Sequence, residues 1–305
     1  VTAFVRGAED GGRWSAEETR ARLPGAELRF GELSPTSLSQ EGFRGERFDV
    51  LVSCLASRSG APSDAWKVDH EANSQALACA REAGVRHVVL VSAICVQKPR
   101  LAFQRAKLAF EAELMASGMS YAIVRPTAYF KSLSGQIERV RDGKPFLLFG
   151  DGTGTACKPI SNHDLAEFVL RCIEDESLHN RILPIGGPGP AITPREQGLE
   201  LFRLTGREPK FRKVPVWLFG ALGSVLGTAG RIAPGLADKA EFVRTARYYA
   251  TESMLVWDDD RGRYDAEATP SFGSDTLFQH YRDVIGGKTQ ADPLGEHAVF
   301  ARDER

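Results

Sequence analysis

Between Val1 and Pro126 the chain alternates short apolar runs with longer stretches of helical periodicity, and this alternation limits the fold more than any other feature. The runs are VTAFVR (1–6), AELRF (26–30), FDVLVSCL (48–55), HVVLVSA (87–93) and YAIVRP (121–126). Each has the length of a strand, and the clearest intervening helices are expected over Glu71–Ala83 and Leu101–Met115. Strand–helix–strand alternation implies a parallel sheet, because parallel neighbours need a crossover between them. Strands covered on both faces read as nearly continuous apolar runs, as these do. The expected fold class is therefore α/β, a Rossmann-like doubly wound parallel sheet. In such sheets the first strand lies near the centre and feeds a glycine-rich turn and helix. VTAFVRG instead ends on a charged tip and a loop, as a second strand does. An N-terminal unit of roughly 25 residues, one strand, turn and helix, is thus expected to be missing, with a vacancy between the strands at 1–6 and 49–55.

After Gly150 the pattern loosens. ISNHDLAEFVLRCIEDE reads as a helix capped by Ser161 or Asn162, and RILPIGG (181–187) as a strand returning to the main sheet. From Ile192 onward Pro, Gly and helical stretches dominate, clearest in TPREQGLELFRLTG and LADKAEFVRTARYYATESML. The expected division is a Rossmann-like domain over 1–190 and a smaller, mostly helical substrate-binding region over 191–305.

Charge and cysteine content exclude several function classes. A net charge of −1 over 305 residues leaves no electrostatic footprint for nucleic acid. The five cysteines, Cys54, Cys79, Cys95, Cys157 and Cys172, are odd in number and form no C-x-x-C pair. They argue for a reducing compartment and against a disulfide framework. The six histidines are scattered, so no metal site is expected. The uncharged run Val214–Gly230 is shorter than the roughly 20 residues of a spanning helix, and reads as a buried or interfacial helix.

The candidate chemistry lies in LAFQRAK. Short-chain dehydrogenases carry Tyr-x-x-x-Lys at the start of a helix; here the spacing persists, with Phe103 at the first position and Lys107 at the last. A lysine beside an apolar stripe can simply snorkel. Ser92, at the end of the preceding strand, and VRPTAYF (124–130) complete the order of a hydride-transfer enzyme. In that reading Ser92 and Pro126 contact cofactor, with Pro126 beside the nicotinamide, as do Cys54, Leu55 and Ala56 at the end of the 48–55 run. Lys107 and Tyr129 are the candidate catalytic residues, Lys107 also a cofactor contact; Phe103, Phe130 and Lys131 are candidate substrate contacts, with Tyr129 the alternative to Phe130 beside the substrate. Arg6 ends the first run, where an acid would hold the ribose of NAD and an arginine suits the extra phosphate of NADP. A solvated arginine is the plain alternative. Lys210, Arg212 and Lys213 read as a solvated edge strand or a carboxylate site, and Cys95 as a small buried hydrophobe or a pocket residue.

The strings VSCLASRSG, SAICVQKP, FQRAKLAFEAELM, IVRPTAYFKSL, CKPIS, LPIGGPG, TPREQG, GREPKF and RYYATESML closely resemble the NADPH-dependent divinyl (proto)chlorophyllide 8-vinyl reductases. These are atypical short-chain dehydrogenases, and the resemblance runs from Val1 to about residue 285. It implies NADPH as cofactor and a magnesium tetrapyrrole as substrate, whose C8 vinyl group is reduced to ethyl in chlorophyll or bacteriochlorophyll synthesis. It also implies a location in the cytoplasm of a photosynthetic bacterium, or in a chloroplast, with peripheral contact to the photosynthetic membrane. A vinyl group has no oxygen to protonate, which accounts for Phe103 in place of tyrosine. A non-catalytic NADP-sensing regulator of the NmrA type, or an assembly factor for a membrane complex, would share the fold.

Overall fold

The computed structural model describes residues 1–8, 12, 14–217 and 234–289. Of the uncharged run at 214–230, everything beyond Trp217 lies outside the described residues. No described helix is long and apolar enough to cross a membrane.

Four parallel strands make the main sheet, in the order β3 (Val50–Ser53), β4 (His87–Val91), β5 (Ser120–Pro126) and β7 (Arg181–Ile185). The helix α3 (62–82) joins β3 to β4, and α4 (Ala102–Ala116) joins β4 to β5. Side chains of successive strand residues point to opposite faces. Val88, Leu90 and Ile123 therefore pack beneath α3 and α4, against Leu77, Ala80, Phe110 and Leu114. Val89, Ala122, Val124, Leu183 and Ile185 meet Leu165, Phe168 and Cys172 of α7 (Asn162–Glu174) on the other face. Ser161 caps α7, its hydroxyl accepting from the Asp164 N–H at 2.9 Å. The return of RILPIGG to the sheet is seen directly in the β5–β7 ladder.

The first two strands, β1 (Thr2–Val5) and β2 (Glu27–Phe30), pair in parallel as a separate two-stranded sheet. Between them run a loop and α1 (Ala16–Arg22); α2 (35–43) follows β2. No ladder among the described residues joins β1 to β3, so the sheet is interrupted at the seam expected from the strand pattern.

A second core forms beside the sheet. It collects Phe130, Ile137 and Val140 from the short helices α5 (Phe130–Leu133) and α6 (Ile137–Arg141), and Phe146 and Leu148 from β6 (Phe146–Phe149). Leu201 and Phe202 of α8 (Pro194–Leu204) and Leu277, Tyr281 and Val284 of α10 (Leu277–Ile285) complete it. The basic strand β8 (Phe211–Val214) pairs with β6, leaving Lys210, Arg212 and Lys213 exposed. The long helix α9 (Pro234–Thr251) then crosses to the strand ends of the main sheet, followed by the hairpin of β9 (Val256–Asp258) and β10 (Arg263–Asp265).

Candidate active site

The carboxyl ends of β3, β4 and β5 lie side by side at one edge of the sheet, where open parallel sheets place their ligand cleft. Lys107 lies beside that edge, in the first turns of α4. Its Nζ lies 2.9 Å from Oδ1 of Asp69, and the two side chains are 10% and 0% exposed. Asp69 belongs to the π-helical segment Trp66–Ala72 within α3, a widened turn of the kind often found at functional positions. Both its carboxylate oxygens also face the Ser57 N–H, at 3.4 Å. Asn73 fixes the same turn: its Nδ2 donates to the carbonyls of Val68 and Asp69, and its Oδ1 accepts from Ser53 at the end of β3. Asp69 therefore links the loop leaving β3, which carries Cys54, Leu55 and Ala56, to the lysine on α4.

Two thiols, Cys54 and Cys95, lie within electrostatic reach of Lys107, and both act on Tyr129. Cys54 is exposed, yet desolvation raises its thiol above the ordinary value while the Lys107 charge pulls the other way. Cys95 is buried, and its thiol is raised in the same manner. Tyr129 is half-buried; burial pushes its phenol far up, and the Cys54 and Cys95 thiols beside it act in the same direction. All three shifts favour the protonated, neutral forms, so these groups add no charge to that of the Lys107–Asp69 pair. Phe103, one turn before Lys107, is half-buried against Ala65, Ala102 and Ala106 and also touches the cluster of Ile94, Cys95 and Tyr248. It is an apolar wall.

The structure thus places Phe103 and Lys107 one turn apart on α4, with Cys95 against Phe103 and Cys54 within electrostatic reach of Lys107. The Tyr129 ring packs on the α7 side of the sheet and feels the Cys54 and Cys95 thiols only electrostatically. The other expected residues are placed differently. The Ser92 hydroxyl donates to Glu111 Oε1 at 2.5 Å, and Arg125 pairs with the same carboxylate, which is 1% exposed. Pro126 is buried as the last residue of β5, in register with Ile185. Phe130 is 7% exposed in the second core, its ring 5.4 Å from that of His280. Lys131 is half-buried on α5. Close packing holds this turn in place: a Cβ on Gly187 would come within 1.9 Å of the Pro159 carbonyl oxygen, next to Ile160, which bridges to Tyr129.

Arg6 stands half-buried at the tip of β1. Across the seam is Asp64, whose carboxyl burial would raise; hydrogen bonds from Ser59 and Arg58 and the charge of Arg6 outweigh that and hold it low. The chain turns tightly after Arg6, with the Gly12 N–H donating to Gly7 O at 2.6 Å, and a Cβ on Gly12 would strike Arg6 O. These residues suit a dinucleotide. A cation at the strand tip can meet a phosphate, and Lys107 can reach a ribose.

The helix α9 closes the far side of the cleft, through contacts that sequence reading missed. Glu241 Oε1 accepts from the Ala102 N–H at the start of α4 at 2.8 Å. The Tyr248 hydroxyl donates to Cys95 O at 2.8 Å. Glu252, 6% exposed, receives Lys98 and Arg100 at 2.7 Å each and the Tyr264 hydroxyl at 2.6 Å. Asp69 was the other omission. A signal for it exists, since it sits on the buried stripe of Ala65, Val68, Ala72 and Ala76, where a carboxylate requires a partner.

Comparison with known proteins agrees with this geometry. A family model described as NAD(P)H-binding matches residues 1–176. Among solved structures, the NADPH-dependent quinone oxidoreductase of Escherichia coli, complexed with NADPH, superposes with a TM-score of 0.63 at 17% identity, covering 93% of this chain and 90% of that one. A nucleoside-diphosphate-sugar epimerase from Staphylococcus aureus gives 0.60 at 16% identity, covering 92% and 90%. Both likenesses establish the fold. In sequence, the chloroplastic divinyl chlorophyllide a 8-vinyl-reductase of Cucumis sativus is 49% identical over 296 residues, 95% of this chain and 71% of that protein. The protein of the same name from Oryza sativa subsp. indica is 50% identical over 299 residues, covering 95% and 73%. The chain belongs to the divinyl chlorophyllide a 8-vinyl-reductase family.

Proposed function

We propose that this protein uses NADPH to reduce the C8 vinyl group of divinyl chlorophyllide a to ethyl. The observation that carries the reading is the pairing of family membership with the cleft itself: a buried lysine cation lies one helical turn from Phe103, where carbonyl reductases keep a phenol. NADPH, when bound, supplies the hydride. The Arg6 guanidinium is the group that would meet its 2′-phosphate, and Cys54, Leu55 and Ala56 lie along its path over the strand ends.

The remaining requirements fall to the chain. Adding hydride to the terminal vinyl carbon leaves an electron pair on the adjacent carbon, which the conjugated macrocycle spreads; one proton then completes the ethyl group. No oxygen becomes negative, so a hydrogen-bond donor at position 103 would have nothing to stabilise. Lys107 keeps the local potential positive beside the ribose. Tyr129 is the proton donor of this proposal: its phenol is held protonated by its surroundings and lies within electrostatic reach of the Cys54 and Cys95 thiols. Divinyl protochlorophyllide a carries the same vinyl group and belongs to the same substrate class.

Anaerobic incubation of the full-length protein with NADPH and divinyl chlorophyllide a tests the reading. The expected result is a blue shift of the Soret band, a mass gain of two hydrogens and oxidation of NADPH in equal amount. Pigment left unchanged while NADPH is bound would point instead to an NADP-sensing regulator. A parallel reaction with divinyl protochlorophyllide a ranks the two pigments.

A further inference from the structure

The helix that carries Phe103 and Lys107 has no cap of its own. The first N–H groups of an α-helix lack intrahelical partners and usually take a side-chain oxygen from the N-cap residue. At the start of α4 that residue is Leu101, extended at φ −107° and ψ 157°, with no oxygen in its side chain. The oxygens come from elsewhere. Gln104 Oε1 turns back to accept from the Arg100 and Leu101 N–H groups, at 2.7 and 2.9 Å. The Ala102 N–H is met by Glu241 Oε1 at 2.8 Å, from a residue 139 positions later in the chain. Glu241 is 5% exposed, and its other oxygen accepts from Arg244 at 3.1 Å. A carboxylate is also the charge that a helix N-terminus favours.

The connection from β4 into α4 is fastened in the same way along its length. Gln97 donates through Nε2 to Leu255 O at 2.6 Å and accepts through Oε1 from the Trp257 N–H at 2.9 Å. Lys98 lies 3.9 Å from the centre of the Trp257 ring and, together with Arg100, ends on the buried Glu252. Residues 97–102 therefore take their fixed points from 241–257. An apolar side chain in place of a buried carboxylate would hold two elements together about as firmly. What the carboxylate adds is direction. Glu241 fixes one N–H, and with it the height and rotation of a helix whose next residue is Phe103 and whose second turn carries Lys107.

We infer that Glu241 is a positioning residue for the proposed reduction: as the cap of α4 supplied by α9, it sets where Phe103 and Lys107 stand relative to nucleotide and pigment, with Glu252 as the second anchor of the same connection. The inference rests on the reading given under Proposed function and adds to it a dependence of the chemical step on a side chain that acts only through α4. A misplacement of about 1 Å can cost on the order of a hundredfold in rate, so the effect belongs in kcat. NADPH affinity should change little, because Arg6 and the loop after β3 hold the nucleotide apart from α4.

The test uses full-length wild type and the variants Glu241→Leu, Glu241→Gln and Glu252→Gln. Sites are titrated with NADPH by its own fluorescence, and kcat for divinyl chlorophyllide a is expressed per site, so that loss of folded protein does not register as loss of rate. Glu241→Leu should lower kcat per site by about tenfold or more. The Kd for NADPH should stay within about twofold, as for groups that do not share partners. Glu241→Gln keeps an oxygen for the Ala102 N–H and should return kcat to within about fivefold of wild type, a neutral acceptor replacing a charged one. Glu252→Gln should show a loss of the same kind, in kcat per site and not in NADPH affinity. Wild-type kcat per site in Glu241→Leu overturns the inference; should that variant fail to fold, wild-type kcat per site in Glu252→Gln overturns it. A Glu241→Gln enzyme as slow as Glu241→Leu also overturns it, by assigning the effect to the charge and not to the held N–H. A wild type that binds NADPH but leaves the pigment unchanged removes the proposed function as well, whereas an active wild type with fully active variants removes only the positioning role.

Discussion

Removing the Lys107 charge should separate stability from catalysis. Lys107 and Asp69 form a nearly dry pair, 10% and 0% exposed, with 2.9 Å between Nζ and Oδ1. Taking away one partner leaves the other charge buried without compensation, a loss of about 3–5 kcal/mol. At about 2–4 °C per kcal/mol for a protein approaching this size, the melting temperature should fall by roughly 6–20 °C. Lys107→Met keeps the aliphatic stem and removes only the charge; Asp69→Asn keeps the shape and can still accept from the Ser57 N–H. Each single variant should show the loss. The double variant should recover most of it, since a neutral pair of similar volume is about as stable as a buried ion pair, and the cycle measures their coupling. Vinyl reductase activity should behave otherwise. It should drop at least about a hundredfold in Lys107→Met and stay down in the restored double variant, because the cation itself is absent. Thermal melts with and without NADPH, together with the Soret assay, read both quantities. Single variants that melt within a degree or two of wild type would refute the buried pair. A double variant with normal turnover would refute the need for a cation in the cleft.

Three further outcomes are expected. Arg6→Ala should raise the KM for NADPH about tenfold or more, because a charge-assisted phosphate contact contributes about 1.5–3 kcal/mol; unchanged NADPH kinetics would exclude the contact. Phe103→Tyr should keep vinyl reduction within about tenfold, since a phenol there has no developing oxyanion to serve, and a larger loss would show that the apolar wall itself matters. The third concerns acid stability. Burial and the stacked His179 ring, 3.9 Å between centroids, lower the His87 pKa, so the unfolded chain takes up a proton that the folded protein resists. The stability His87 supports is full above the unfolded value of about 6.5 and declines as pH falls through its lowered value. His87→Gln should flatten this acid limb in a pH series of thermal melts, and an unaltered limb would show that another group controls it.

The sequence displays what repeats along the chain and conceals what meets across it. Strands β4 and β5 fall where apolar runs predict them, because two-sided burial leaves a local pattern in the residues themselves. The run at 48–55 forms a strand only over Val50–Ser53, since the chain then leaves the sheet to pass Asp69. Tyr129 and Phe130 could not be told apart in advance. They follow the end of β5, where alternation stops carrying information, and only the bridge to Ile160 leaves Tyr129 on the α7 side of the sheet with Phe130 in the second core. The anchoring of Tyr248 was hidden for a similar reason, as its partner Cys95 is more than a hundred positions away.

The clearest case is Lys107 and Glu111. At a spacing of four on one helix they look like a local ion pair. Each instead takes its partner from another element: Lys107 takes Asp69 of α3, and Glu111 takes Arg125 of β5 together with the Ser92 hydroxyl. Long helical side chains lean toward the helix N-terminus, which directs Lys107 away from Glu111 and toward α3. The exchange has a chemical consequence. If lysine and glutamate paired with each other, the positive charge would be drawn along α4 toward the sheet, and Asp69 would be buried alone. With the partners crossed, Glu111 is neutralised against β4 and β5, while the lysine cation is held between α3 and α4 beside Cys54 and Cys95, where a nucleotide and a conjugated substrate would meet. The Ser92–Glu111–Arg125 cluster therefore serves the cleft from outside it, by leaving Lys107 to Asp69.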